Sequence, residues 1–224
     1  MDVTIKHQPS YSLGIITMTA NEKVKVEPGS MVSFSDGVSV ETKSEGGLFG
    51  GLKRMVGGEG FFQNTYTAPA QGGEITVAPA LPGDMRVLEI TGGEFLLQSG
   101  AYIASEQNVN FDSSWGGAKG FFGSGSLVLL KISGNGKYVI GTYGAIEERV
   151  LGAGEKYTVD TGHIVGFDPG MKFEVRRVGG WKSTILSGEG FVVDLTGPGR
   201  LLMQSRSEEA LLGWLIPKIP QRSN

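Results

Sequence analysis

Between Lys23 and Phe34 the chain reads KVKVEPGSMVSF. Apolar and polar residues alternate, stop at Pro28-Gly29, and alternate again. Period-two alternation marks a strand with one buried face, and Pro-Gly is a turn signal, so the stretch predicts strand, turn, strand. The runs SLVLLKI and GFVVDL are short, rich in branched apolar residues and bounded by glycine, as buried strands are. EITVAPA, KYVIGTY and RLLMQS predict further strands, and the first twenty residues predict strands as well. Helical signals are confined to Ser207–Ile219, SEEALLGWLIPKI, where Ser207 can cap, Glu208 and Glu209 fill the first turn and Pro217 ends the helix. The pattern predicts an all-β protein with a short C-terminal helix.

The alternation also repeats. Glu22–Lys43 aligns without a gap on Glu155–Arg176, with identity at Glu22/Glu155, Lys23/Lys156, Val26/Val159, Gly29/Gly162, Val32/Val165, Phe34/Phe167, Gly37/Gly170 and Glu41/Glu174. Gly93–Phe111 is a looser copy, with Gly100 at the turn. Each copy is followed by a Gly-x-Gly strand start, at Gly58, Gly123 and Gly188, spaced 65 residues apart. Self-similarity at a fixed interval is the signature of a triplication. We expect one domain over 1–224, built of three homologous β units at about 1–80, 81–145 and 146–206, with 207–224 as a tail. A unit of this size cannot cover both faces of its own sheet, so pseudo-threefold symmetry is expected, each unit lending a face to the next. Val26, Val32, Phe34, Val159, Val165 and Phe167 are expected to face inward. Gly29, Gly100 and Gly162 are expected at equivalent turns that need backbone freedom.

A double glycine precedes each Gly-x-Gly, at Gly46-Gly47, Gly116-Gly117 and Gly179-Gly180. The first of these loops, EGGLFGGLKRMVGGEGFF from Glu45 to Phe62, is the longest. It lacks the Gly-x-x-x-x-Gly-Lys-Ser/Thr pattern, and a strand rather than a helix follows it, so it is not a phosphate loop. It reads as a hairpin tip. Leu48, Phe49, Leu52, Lys53, Arg54 and Met55 make that tip amphipathic. The second loop carries Trp115, Phe121 and Phe122, and the third Trp181. Together they form a candidate surface for a protein partner or a membrane. The tail adds Leu211, Leu212, Trp214, Leu215 and Ile216, which need cover from the body, a neighbouring copy or lipid.

Composition narrows the chemistry. The chain has 224 residues, 37 of them glycine, which suits many tight turns. Its formal net charge of −3 opposes the counterion release that drives nucleic-acid binding. With no cysteine, disulfides, thiolate metal sites and cysteine nucleophiles are excluded, and a reducing compartment fits. The only histidines are His7, read as a polar position of the first strand, and His163, read as flanking a turn; they do not make up a metal site with two or three histidine ligands. Glu147-Glu148 and Glu208-Glu209 read as solvated loop or helix starts, not a catalytic pair. No Gly-x-Ser-x-Gly elbow occurs in a strand–helix frame. No catalytic, cofactor or metal residue is assigned. The N-terminus lacks a signal peptide's charged and apolar regions, and no apolar run reaches membrane-spanning length, so a cytoplasmic protein is expected.

The segments GGLFGGLKRMVGGEGFFQNTYTA, LPGDMRVLEI, FLLQSGAYIASEQNV and GEGFVVDLTGPGRLLMQSRS resemble the AIM24 family over essentially the whole chain. The resemblance implies a β architecture like that of the tryptophan RNA-binding attenuation protein (TRAP-like, of double-stranded β-helix type), with repeated units and oligomeric assembly. It implies no enzyme activity and carries over no site residues. The expectation is a non-enzymatic scaffold or interaction protein, a homo-oligomer, possible at a membrane surface through its glycine-rich loops. RNA binding, or binding of a small ligand or carbohydrate between units, is the alternative.

Overall fold

Alternating sequence becomes strand wherever one face has a core to meet. The computed structural model describes residues 1–43, 63–112, 121–122, 127–178 and 190–220. The first segment holds β1 (Asp2–Lys6), β2 (Leu13–Met18), β3 (Lys23–Val26), β4 (Met31–Phe34), β5 (Ser39–Lys43), β6 (Gln63–Thr67) and β7 (Gly73–Val77). The second holds β8 (Met85–Gln98), β9 (Tyr102–Glu106), β10 (Val109–Asp112), β11 (Phe121–Phe122) and β12 (Leu127–Gly141). The third holds β13 (Ile146–Leu151), β14 (Lys156–Asp160), β15 (Ile164–Phe167), β16 (Lys172–Arg177), β17 (Phe191–Thr196) and β18 (Gly199–Gln204). A short helix, α1 (Glu208–Leu215), follows. The protein is predominantly β.

One pairing scheme, antiparallel throughout, runs through each segment. In the first, β7 lies between β2 and β4, and β6 between β3 and β5. In the third, β18 lies between β13 and β15, and β17 between β14 and β16. In the second, two long strands do double duty. The latter half of β12 pairs the first half of β8 and β9, while its former half pairs the second half of β8 and β10. β12 changes role at a register shift around Gly134, whose φ is +99°. A side chain there would strike the Asn108 carbonyl, 2.1 Å from an added Cβ, so only glycine fits. Each segment also places a bulge at one site, with Val32, Ile103 and Val165 as the extra residues.

Successive segments are joined by their strands. β3 pairs β9, with Val26 opposite Ala104 and Lys25 opposite Ser105. β8 pairs β15, with Leu97 opposite Gly166 and Leu96 opposite Phe167. The result is a long central sheet, flanked by a four-stranded sheet in the order β1-β2-β7-β4 and a three-stranded one in the order β14-β17-β16. The connectors stack in chain order too. Gly83 O accepts from Ser12 N, Gly144 O from Asp84 N, and Ala145 O from Ser205 N, each at 2.9–3.0 Å. Asp84 binds this stack, its carboxylate accepting from Gln8 Nε2 at 2.9 Å and from Met85 N at 2.8 Å.

The core lies in three clusters, around Ile75 and Val139, around Tyr102 and Tyr138, and around Phe167 and Leu195. Each such side chain contributes roughly 1.5–3 kcal/mol by leaving water. Val26, Val159, Val165 and Phe167 are buried as expected, but Val32 and Phe34 are 56% and 44% exposed. The register is sound; the difference is cover. β15 lies against β8, whereas β4 is the last strand of its sheet. Three further expectations change. Of the turn glycines, Gly29 has a left-handed φ of +94°, while Gly100 and Gly162 sit in 3₁₀ turns without one. Gly162 is required by crowding instead, since an added Cβ would lie 2.9 Å from Ser207 Cβ. His7 is not in a strand but follows β1 with φ +61°. Glu147 and Glu148 lie on β13 rather than in a loop, with Glu148 bonded to Arg86 at 2.6 Å. Gly58, Gly123 and Gly188 lie outside the described residues.

Leu195→Ala, in the third cluster, should lower unfolding free energy by about 2–5 kcal/mol in urea titration. Val150→Thr, at a site 70% exposed, should change it by less than about 0.5 kcal/mol.

Candidate contact surface

The strand that follows the turn glycine is fully buried in two segments: every residue of β9 from Tyr102 to Ser105, and of β15 from Ile164 to Phe167. In β4 all four residues are exposed. Its sequence, MVSF, is as apolar as theirs. An apolar strand left at a sheet edge offers unpaired backbone groups and apolar area together, a combination that native proteins cover or break up with charge. β4 carries no charge.

A second apolar surface is α1. Ser207 caps it, its Oγ accepting from Ala210 N at 3.2 Å, and Glu208 and Glu209 suit the positive end of the helix. Ser207 is buried against Gly162, so the helix is held at its start. Beyond that point no residue of α1 is buried. Leu212, Trp214 and Leu215 face solvent, as do Ile216 and Ile219 in the turn that follows, and Lys218 Nζ lies 5.3 Å from the Trp214 ring. Between α1 and the body is a cleft of about 620 Å³, lined by the Gln98, Thr142, Tyr143, Thr161 and Gln204 region and by Glu208 and Glu209.

The β3–β9 junction gathers a linked set of buried and half-buried polar groups. Tyr102 Oη bonds Gln63 Nε2, Lys25 O and Ser105 Oγ at 3.1–3.2 Å, and burial pushes its phenol above the usual range. Glu27 N donates to the bulge carbonyl of Ile103 at 2.8 Å, and its carboxylate accepts from Ser30 Oγ at 3.0 Å. Burial pushes the Glu27 carboxyl up to about 7, against the opposing pull of the Ser30 hydroxyl.

Of the residues singled out in the sequence, Leu48, Phe49, Leu52, Lys53, Arg54, Met55, Trp115 and Trp181 lie outside the described residues. Phe121 and Phe122 form β11, opposite Val128 and Leu127. Trp214 is 62% exposed on α1. The strands flanking all three glycine-rich loops are antiparallel neighbours: β5 with β6, β10 with β12, and β16 with β17. β4 was missed as a surface because its pattern is that of its buried counterparts. Among the described residues, no three His, Cys, Asp or Glu side chains gather as a metal group, and no helix is long and apolar enough to cross a membrane.

A match to the family described as Mitochondrial biogenesis AIM24 spans residues 3–206. The chain belongs to the AIM24 family. This AIM24-family chain is 28% identical to an uncharacterized protein of Streptococcus pyogenes serotype M6, over 100% of its own length and 93% of that protein's. It is also similar to a crystal structure of a Streptococcus pyogenes protein from a structural genomics programme. There the TM-score is 0.80 and the identity 25%, over 97% of this chain and 99% of that one.

Because the Glu27 carboxyl is raised in the folded state, its contribution is full below about pH 4.5 and is lost as pH rises through about 7. Glu27→Gln should therefore flatten stability against pH across that window. It should be the more stable form at pH 8, by up to about 3 kcal/mol in urea titrations.

Proposed function

We propose that this AIM24-family protein is a non-enzymatic scaffold or interaction protein that works as a homo-oligomer in the cytoplasm. We read the chain as three homologous β units in a TRAP-like arrangement, their pseudo-threefold relation being an open row of three and not a closed ring. The recurring pairing scheme, with its bulge at one site in each segment, supports that reading. The observation that carries the functional proposal is apolar surface without cover, on β4 and on α1. Such surface costs free energy in water and marks contact with another molecule.

The other features favour contact over chemistry. The cleft joins an apolar wall of Pro79, Leu81, Ile164 and Leu212 to amides, hydroxyls and two carboxylates, and those carboxylates lie on α1's exposed first turn. His163 does not add to it; its Nδ1 is engaged with Gln204 O at 2.7 Å. The groove on the three-stranded sheet sets Lys156 and Lys172 against Glu174 and Asp194, which leaves no basic track for phosphates. The glycine-rich loops remain the place for a protein or membrane-surface partner.

Light scattering on the purified protein should give a mass that is a multiple of 23.7 kDa. A single-chain mass at tens of micromolar would overturn the homo-oligomer.

A further inference from the structure

We infer that β4 of one copy is completed by β14 of a second copy, in the antiparallel register that already joins the segments inside one chain. This rests on the self-association proposed above and specifies its interface.

Position within the repeat assigns the pairing. In both internal junctions, the strand before one turn glycine pairs with the strand after the next turn glycine. The residue three before Gly29, Val26, faces the residue four after Gly100, Ala104. The residue three before Gly100, Leu97, faces the residue four after Gly162, Gly166. Lys25 with Ser105 and Leu96 with Phe167 follow the same count. Among the described residues, two strands of this kind are left at sheet edges: β4, the strand after the first turn glycine, and β14, the strand before the last. The count sets Val159 opposite Ser33, Thr158 opposite Phe34, and Tyr157 opposite Ser35. The bulge contact of Glu27 N with Ile103 O becomes Asp160 N with Val32 O.

Burial gives the same answer independently. Ile103 and Val165, the bulge residues that have a preceding segment, are 1% and 0% exposed, and Val32 is 56% exposed. Pairing with β14 would give β4 the cover that β9 has from β3 and β15 has from β8. The four-stranded and three-stranded sheets would become one, in the order β1-β2-β7-β4-β14-β17-β16. The interface is heterologous, since each copy offers one edge of each kind, so copies add head to tail.

The chain has no cysteine, so single-cysteine variants report cleanly. Phe34→Cys is mixed with Thr158→Cys, and Ser35→Cys with Tyr157→Cys. Neighbouring antiparallel pairs alternate between about 4.5 and 5.5 Å in Cα separation, both within the roughly 4.4–6.8 Å that a disulfide spans. Mild oxidation should give a reducible dimer in the mixtures, none from either variant alone, and none from Thr158→Cys with Met31→Cys. Val32→Lys should bring the light-scattering mass down to one chain, 23.7 kDa, with its circular dichroism unchanged. Dimer from Phe34→Cys alone would mean two β4 edges meet, and would overturn the inference. So would a Val32→Lys protein that keeps its oligomeric mass. An oligomeric wild type with no cross-link in either mixture overturns the interface and leaves the homo-oligomer standing. A monomeric wild type overturns both.

Discussion

The fold depends on one contact: the antiparallel pairing of the strand before a turn glycine with the strand after the next. It joins β3 to β9 and β8 to β15, and so turns short two-sheet segments into one continuous body. Short sheets alone leave edges and one bare face. Pairing across segments removes the edge and closes the face in the same step, which is why Tyr102–Ser105 and Ile164–Phe167 are buried along their whole length. The polar groups that this burial removes from water are satisfied at the same junction, Tyr102 by Gln63, Ser105 and the Lys25 carbonyl.

A chain of such contacts has two ends. Among the described residues, the connector stack runs from Ser12 through Gly83 and Gly144 to Ser205 and has no bond from its last connector to its first. Among the described residues, no strand within 1–80 pairs one within 146–206. The apolar surface of β4 is therefore a consequence of the fold's own logic and not an isolated oddity. α1 begins where a further connector would lead, anchored by Ser207 on Gly162, and its uncovered face adds to the surface at that end.

Much of this was legible in the sequence. Period-two alternation located strands such as β3, β4, β14 and β15, the cap and proline located α1, and the gapless match of Glu22–Lys43 with Glu155–Arg176 pointed to recurring pairing. What could not be read was exposure. Val32 and Val165 share a position and a residue type, yet one is bare and the other buried, because cover comes from a strand in a different segment. The same holds for glycine. Gly29 and Gly162 align, but the first serves a left-handed turn and the second a close approach by Ser207, a contact over 45 residues of sequence. The Glu27 carboxyl is set apart by burial at a junction that no local pattern reveals.

In the interface inferred above, the two open edges are complementary and meet between copies. Amide hydrogen exchange tests it most directly, read at Met31–Phe34 and Tyr157–Asp160 as protein concentration rises. Protection at both edges should grow together with concentration and reach that of Tyr102–Ser105. Fast exchange at both edges in a protein that light scattering shows to be oligomeric would contradict it.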